Sequence, residues 1–196
     1  MSRLRRSVPP AALEYCYLLW FEHPFRLVLS RPRRSKLGDF RWELGRQQAV
    51  ITVNTNLNPF SFLITYVHEV AHLRVSLEQP QAPAHGTAWK QSFATLMRPL
   101  LTESVFPPSL LHTIQRHLKN PKASSQADPH LVEELRKHDP EPGLSLDALP
   151  LGSGFELQGR VFIKGEKRRT RYLCTEPRSG RKFLVPGVAS VNPLPG

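Results

Sequence analysis

The sequence predicts an α+β fold: a helical core whose longest helix packs on a small β-sheet, followed by a small C-terminal antiparallel β module. Three observations carry this. Alternating, apolar-rich segments fall in two separate groups, at 25–54 and at 160–186. Between the groups, residues 58–118 show helical spacing. A stretch crowded with Pro and Gly, 139–154, then separates a larger first part from a smaller second one. Strands segregated from helices in this way point to α+β rather than to a parallel α/β sheet. At 196 residues the chain can bury one good-sized core with a small appendage.

Residues 9–22 form the first expected helix: Pro9 and Pro10 open it, and Leu13, Tyr17, Leu18 and Phe21 recur on one face. "FRLVLS" (25–30) alternates as a strand, and "RPRRSKLGD" (31–39) is a basic turn region. "FRW" (40–42) and "QAVITVN" (48–54) supply two further strands. Asn58 before Pro59 is a cap followed by proline at the first helical position, so a long helix runs from there to about Glu78. "QPQAPAHG" (79–86) breaks it. Helices are expected over 87–100 and 108–118, and Asp128–Pro129 repeats the cap signal for a short helix over 130–138. The 139–154 stretch reads as a linker. "RVFIK" (160–164), "RTRYLCT" (169–175) and "RKFLVP" (181–186) then form a meander, with "EPRSG" as a turn.

Composition narrows the function classes. Lys and Arg number 27 against 16 Asp and Glu, a net charge of +11, which suits a polyanionic partner or simply a solvated basic surface. The two cysteines, Cys16 and Cys174, form no CxxC pair, so neither a disulfide framework nor a cysteine-built zinc ribbon is indicated. The basic start is interrupted by Pro9, Pro10, Glu14 and Glu22, which does not suit a signal peptide. No apolar run approaches the length of a membrane span. A soluble, cytoplasmic protein with reduced thiols is expected.

The chemistry concentrates in "YVHEVAHLRV" (66–75). Side chains four apart share a helix face, so His68 and His72 can offer two ring nitrogens to one ion while Glu69 projects beside them. HExxH supplies two zinc ligands and a general base in the shortest possible span. The helix is otherwise apolar nearly all round, through Leu63, Ile64, Val67, Val70, Ala71, Leu73 and Val75. Two imidazoles and a carboxylate buried there are costly unless a cation compensates them. A glycine and histidine at +3 and +6 after the motif would mark one known class, but Val75 and Glu78 stand there. No glutamate lies between Glu78 and Glu103, and Glu78 is too near along the same helix to turn back. His85, at the mouth of the next helix, remains as third ligand. His23, His112, His117, His130 and His138 lack ligand spacing and read as surface or cap residues. Trp20, Trp42 and Trp89 read as core, Trp89 packing behind the site, and Tyr66 is a candidate oxyanion donor.

Taken together, HEVAH, a loop and "HGTAW" resemble the SprT-like zinc metallopeptidases, which include Spartan-type proteases that degrade proteins crosslinked to DNA. "SKLGDFRW" and "ITVNTNL" resemble that family's strand segments before the active-site helix, and the likeness covers about residues 9–105. It implies a helical metallopeptidase core with one Zn2+ held by His68, His72 and His85, and Glu69 as catalytic base. It also implies three parts: a SprT-like zinc peptidase domain (1–120), a connector with a short helix (121–154), and a basic β-meander (155–196). The meander resembles the family's zinc ribbon but retains only Cys174.

Residues 160–182 carry nine Lys and Arg against two Glu, interleaved with Phe162 and Tyr172. Lys164, Lys167, Arg168, Arg169, Arg171, Arg181 and Lys182 could line a phosphate track, with the aromatics stacking on bases. The same pattern also suits a small sheet whose charges protect its edges and whose aromatics fill its core. Arg31, Arg33, Arg34 and Lys36 form a second basic cluster near the motif. The function expected is a zinc endopeptidase acting on DNA-associated or DNA-crosslinked proteins, in DNA repair. The alternatives are a zinc peptidase with no nucleic-acid dependence and a non-catalytic DNA-binding module with a structural metal.

Overall fold

The computed structural model describes residues 2–33, 36–43, 48–140 and 143–195. It is mixed α+β and divides into two compact units, Met1–Asp139 and Pro140–Gly196.

In the first unit a short helix, α1 (Ser2–Arg5), precedes a 3-10 turn at Pro10–Ala12 that leads directly into α2 (Leu13–Glu22). Strands β1 (Phe25–Ser30), β2 (Gly38–Glu43) and β3 (Gln48–Asn54) form a three-stranded sheet in the order β1-β3-β2. The central strand β3 pairs in parallel with β1 and antiparallel with β2, and is buried from Ala49 to Asn54. That explains why Ala49, Val50, Ile51 and Val53 are apolar on both faces of the strand, with only Thr52 polar among them. Strand β2 is left at the edge.

Helix α3 (Pro59–Glu78) packs across β2 and β3. Its start follows the sequence signal: the Asn58 side chain accepts from the Ser61 backbone N–H at 2.9 Å, with Pro59 at the first helical position. Helices α4 (Thr87–Met97) and α5 (Pro108–Leu118) complete the core with α6 (Pro129–Arg136). Phe62, Leu63, Trp89, Phe93, Phe106 and Ile114 are all buried in one cluster.

The 121–154 stretch contributes to both units. Leu131 and Leu135 of α6 are buried in the first core, and the Asn58 amide donates to the Leu135 carbonyl at 2.8 Å and to Asp139 at 2.7 Å. Beyond Asp139, β4 (Leu144–Ser145) and a 3-10 turn at Leu146–Ala148 place Leu146 and Leu149 in the second core. The proline-rich composition hides these elements because each is only two or three residues long.

The second unit is a sheet of β4, β5 (Gly154–Leu157), β6 (Arg160–Ile163), β7 (Lys167–Arg168), β8 (Arg171–Thr175), β9 (Lys182–Pro186) and β10 (Ser190–Pro193). The order is β4-β10-β5-β6-β8-β7, with β9 also pairing β8. The strand expected over 169–175 starts later, at Arg171, because Arg169 and Thr170 form the turn between β7 and β8, with Arg169 at a left-handed φ of 54°. Phe155, Phe162, Tyr172, Cys174 and Val185 form the core.

Candidate metal centre

Helix α3 carries His68, Glu69 and His72 on the side that opens into a cleft of about 360 Å³. His85 reaches it from the loop before α4. That residue has a left-handed φ of 57°, a conformation with a steric cost for any side chain bearing Cβ. The turn brings its ring back over α3, and Gly86 then caps α4.

The three Nε2 atoms converge. His68 and His72 stand 3.2 Å apart, His72 and His85 2.9 Å, and His68 and His85 3.3 Å. Two nitrogens bound at about 2.0–2.1 Å to a tetrahedral ion lie about 3.3–3.4 Å apart, so the triangle fits a metal ion held by three imidazoles. The cluster can hold a metal ion. Burial, with some help from the neighbouring rings, holds His68 down to about 3 and His72 down to about 4, and burial also lowers His85. All three are therefore neutral at physiological pH, the form that ligates.

Trp89 backs all three rings. Its centroid lies 4.6 Å from His68, 5.4 Å from His72 and 4.7 Å from His85, and it stacks on Phe93 at 5.2 Å. Buried aromatic surface thus fixes the imidazole orientations, as the sequence suggested for Trp89.

Glu69 is 6% exposed and lines the same cleft. Burial first, and then the negative charge of Asp39, push its carboxyl up to about 8; Arg33, Lys36 and the Phe40 backbone N–H pull the other way. The neighbouring strand comes so close that a Cβ on Gly38 would meet Glu69 Oε1 at 2.8 Å and Thr65 Cγ2 at 2.6 Å. Gly38 was missed as a site residue because the sequence reads it within the turn region 31–39, whereas it is the first residue of β2. The other wall of the cleft includes Ala123, Ser124 and Ser125. It is anchored by a 2.8 Å hydrogen bond between the buried His117 Nδ1 and Asp128. His117 is therefore an internal tie and not the surface or cap residue expected.

Several other expectations are corrected. Tyr66 is fully buried away from the cleft and donates to the Cys16 carbonyl at 2.9 Å, so it is no oxyanion donor. Trp42 is 41% exposed. Arg33 is bound into the fold through an ion pair with Asp39 and a 2.8 Å hydrogen bond to Asn54. Arg31 and Lys36 are exposed, with Lys36 at the cleft and 3.4 Å from Asp39. Arg34 lies outside the described residues.

In the second unit Lys164 is 3% exposed, its ammonium donating to the carbonyls of Leu146 at 2.6 Å and Leu149 at 2.5 Å and lying 3.9 Å from the Tyr172 ring centroid. It is an internal cross-brace and cannot serve a phosphate. Phe162 and Tyr172 are buried, which removes base stacking from their roles. Lys167 pairs with Asp147 at 2.7 Å, while Arg168, Arg169, Arg171, Arg181 and Lys182 are exposed.

Comparison of the chain with protein-family models, with curated proteins and with solved structures gives no match.

Proposed function

We propose that the chain is a zinc-dependent endopeptidase that cleaves extended protein segments, and that its substrates include DNA-associated or DNA-crosslinked proteins. The observation that carries this is the triangle of Nε2 atoms set beside a carboxylate that takes no part in it, in an open cleft. Three imidazoles with Glu69 left free suit a catalytic zinc site, whereas a closed structural site has no use for an adjacent base. The SprT-like likeness of "HEVAH", "HGTAW" and "SKLGDFRW" supports the same reading.

Bound zinc supplies Lewis acidity, polarising a scissile carbonyl and lowering the pKa of water to about 7. His68, His72 and His85 hold the ion through neutral rings, and Trp89 keeps those rings in place. Glu69 gives up its proton more readily beside a cation, which makes it available as a base at neutral pH. It takes a proton from the attacking water as the new C–O bond forms, then passes it to the departing amine as the C–N bond breaks. Among the described residues β2 pairs with β3 alone, so its other edge offers an extended substrate backbone groups to pair with.

The DNA part of the proposal rests on the exposed cations Arg31 and Lys36 in the first unit and Arg168, Arg169, Arg171, Arg181 and Lys182 in the second. These can meet phosphates, whereas the buried Phe162 and Tyr172 favour the second reading, a peptidase without nucleic-acid dependence. Peptidase assays with and without single-stranded and duplex DNA, at two salt concentrations, separate the two. DNA-stimulated cleavage that weakens with salt supports the first. The enzymatic reading itself is tested by metal analysis of the purified chain alongside turnover: about one zinc per chain and zinc-dependent cleavage of an unfolded protein are expected. A chain that carries zinc but cleaves no unfolded substrate would sink the reading.

A further inference from the structure

A second cavity of about 520 Å³ lies at the far end of β2, outside the metal cleft. Its apolar lining comes from Pro24, Trp42, Ala49, Leu73 and Leu77. Trp42 and Leu77 are exposed by 41% and 50%, so two large apolar groups stand open to solvent in one concavity. A concavity with apolar groups in its walls is a place where an apolar side chain can be received.

The cavity and the metal cleft are joined by two elements running side by side. Along β2, alternation puts Gly38, Phe40 and Trp42 on one face, and the Phe40 and Trp42 rings lie 6.0 Å apart. Along α3, Thr65, Glu69, Leu73 and Leu77 follow one another at single-turn intervals. Gly38 abuts Thr65 and Glu69 at one end, and Trp42 shares the cavity with Leu73 and Leu77 at the other. Gly38 to Trp42 is about 13 Å at strand rise, and Glu69 to Leu77 is about 12 Å at helix rise. The two lengths agree, so the cavity stands one strand segment away from Glu69.

We propose that this cavity is a specificity subsite, receiving an aliphatic or aromatic side chain about four residues from the cleaved bond of a substrate paired along β2. The inference rests on the peptidase reading and adds a substrate class to it: extended segments with an apolar anchor at a fixed distance from the cut. A strand laid on the β2 edge advances about 3.3 Å per residue, so a scissile bond at Glu69 places only residues about four positions away at Trp42. Glu22, His23 and Gln48 also line the cavity, so polar groups stand beside its apolar ones.

The test uses zinc-loaded Glu69→Gln chain and labelled decapeptides in which a single Leu or Phe is moved along a Gly/Ser background, with binding read by fluorescence anisotropy. The same peptides are then given to zinc-loaded wild-type chain, and the cut sites are read by mass spectrometry. Binding about tenfold tighter for one placement of the apolar residue is expected, with cleavage about four residues away from it. Trp42→Ala and Leu77→Ser, both at exposed positions, should each abolish that preference. Equal binding of all placements, or a preference that survives in both variants, overturns the subsite while leaving cleavage, and hence the peptidase reading, standing. A preference that is lost in both variants in a chain that cleaves nothing shows that the cavity receives an apolar side chain, but overturns the peptidase reading and with it the cavity's place in a cleavage reaction.

Discussion

Glu69, Gly38 and His85 each occupy a position where one atom decides the outcome. Glu69→Gln keeps the size of the side chain and removes its basicity. The variant is expected to retain its zinc while turnover falls by about 10²–10⁴-fold, checked by metal analysis beside a peptide assay. Gly38→Ala introduces a Cβ 2.6–2.8 Å from Thr65 and Glu69. The strand or the carboxylate must shift, at a cost of about 1–3 kcal/mol, seen as a lower Tm together with lost turnover. His85→Gly separates backbone from ligand: glycine tolerates the 57° φ, so the metal-free Tm should hardly move while zinc affinity falls. His68, Glu69 and His72 were legible because a helical repeat forces them together, and His85 by elimination among the remaining donors. Gly38 and the mispaired roles of Tyr66, Arg33 and Lys164 were not, since side-chain direction across the chain depends on tertiary packing that spacing does not encode.

At the scale of elements, the signals that worked are those with a local cause. Asn58–Pro59 and Asp128–Pro129 start α3 and α6 because cap and proline act within one turn. The strand at 190–193 was missed because β10 gains its partners, β4 and β5, only from distant sequence, and the strand at 154–157 because it begins inside the Pro- and Gly-rich stretch, although it pairs locally with β6. Asp128 joins two elements, accepting from His117 of α5 and capping α6 through the Leu131 N–H at 3.3 Å. Burial pushes its carboxyl up, but hydrogen bonds from His117, Leu131 and His130 outweigh this and hold it below the ordinary carboxylate value. Because the folded value is the lower one, its contribution to stability is complete above about pH 3.9 and is lost as pH falls through the folded value. Asp128→Asn is therefore expected to lower the Tm at pH 7 and to flatten its decline between pH 4 and 2, measured by thermal melts. An unchanged acid slope would remove this tie from the cleft wall.

On the scale of the whole molecule, the two units have separate hydrophobic clusters, one ending at Leu135 and the other starting at Leu146. Every residue of the metal centre and of both cavities belongs to the first. A chain ending at Asp139 is expected to fold and bind one zinc, as read by circular dichroism and metal analysis. Any DNA stimulation that it loses identifies the second unit as the carrier of that property. The division was only partly legible, because composition placed α6 with the connector, while its two buried leucines and the Asn58 amide bind it to the first core.

The indole behind the imidazoles also gives this centre an optical voice. Trp89 is sealed from water, whereas Trp42 is open to it, so the two emit at different wavelengths. Trp20 is half-buried and donates to the Phe25 carbonyl, and of the three indoles it is Trp89 that lies against the imidazoles, so a cation drawn among the rings alters the electric field there most. The change in blue-side fluorescence, above a background from Trp20, should therefore follow occupancy in the unlabelled chain, and chelator titrations can be followed without any substrate at all.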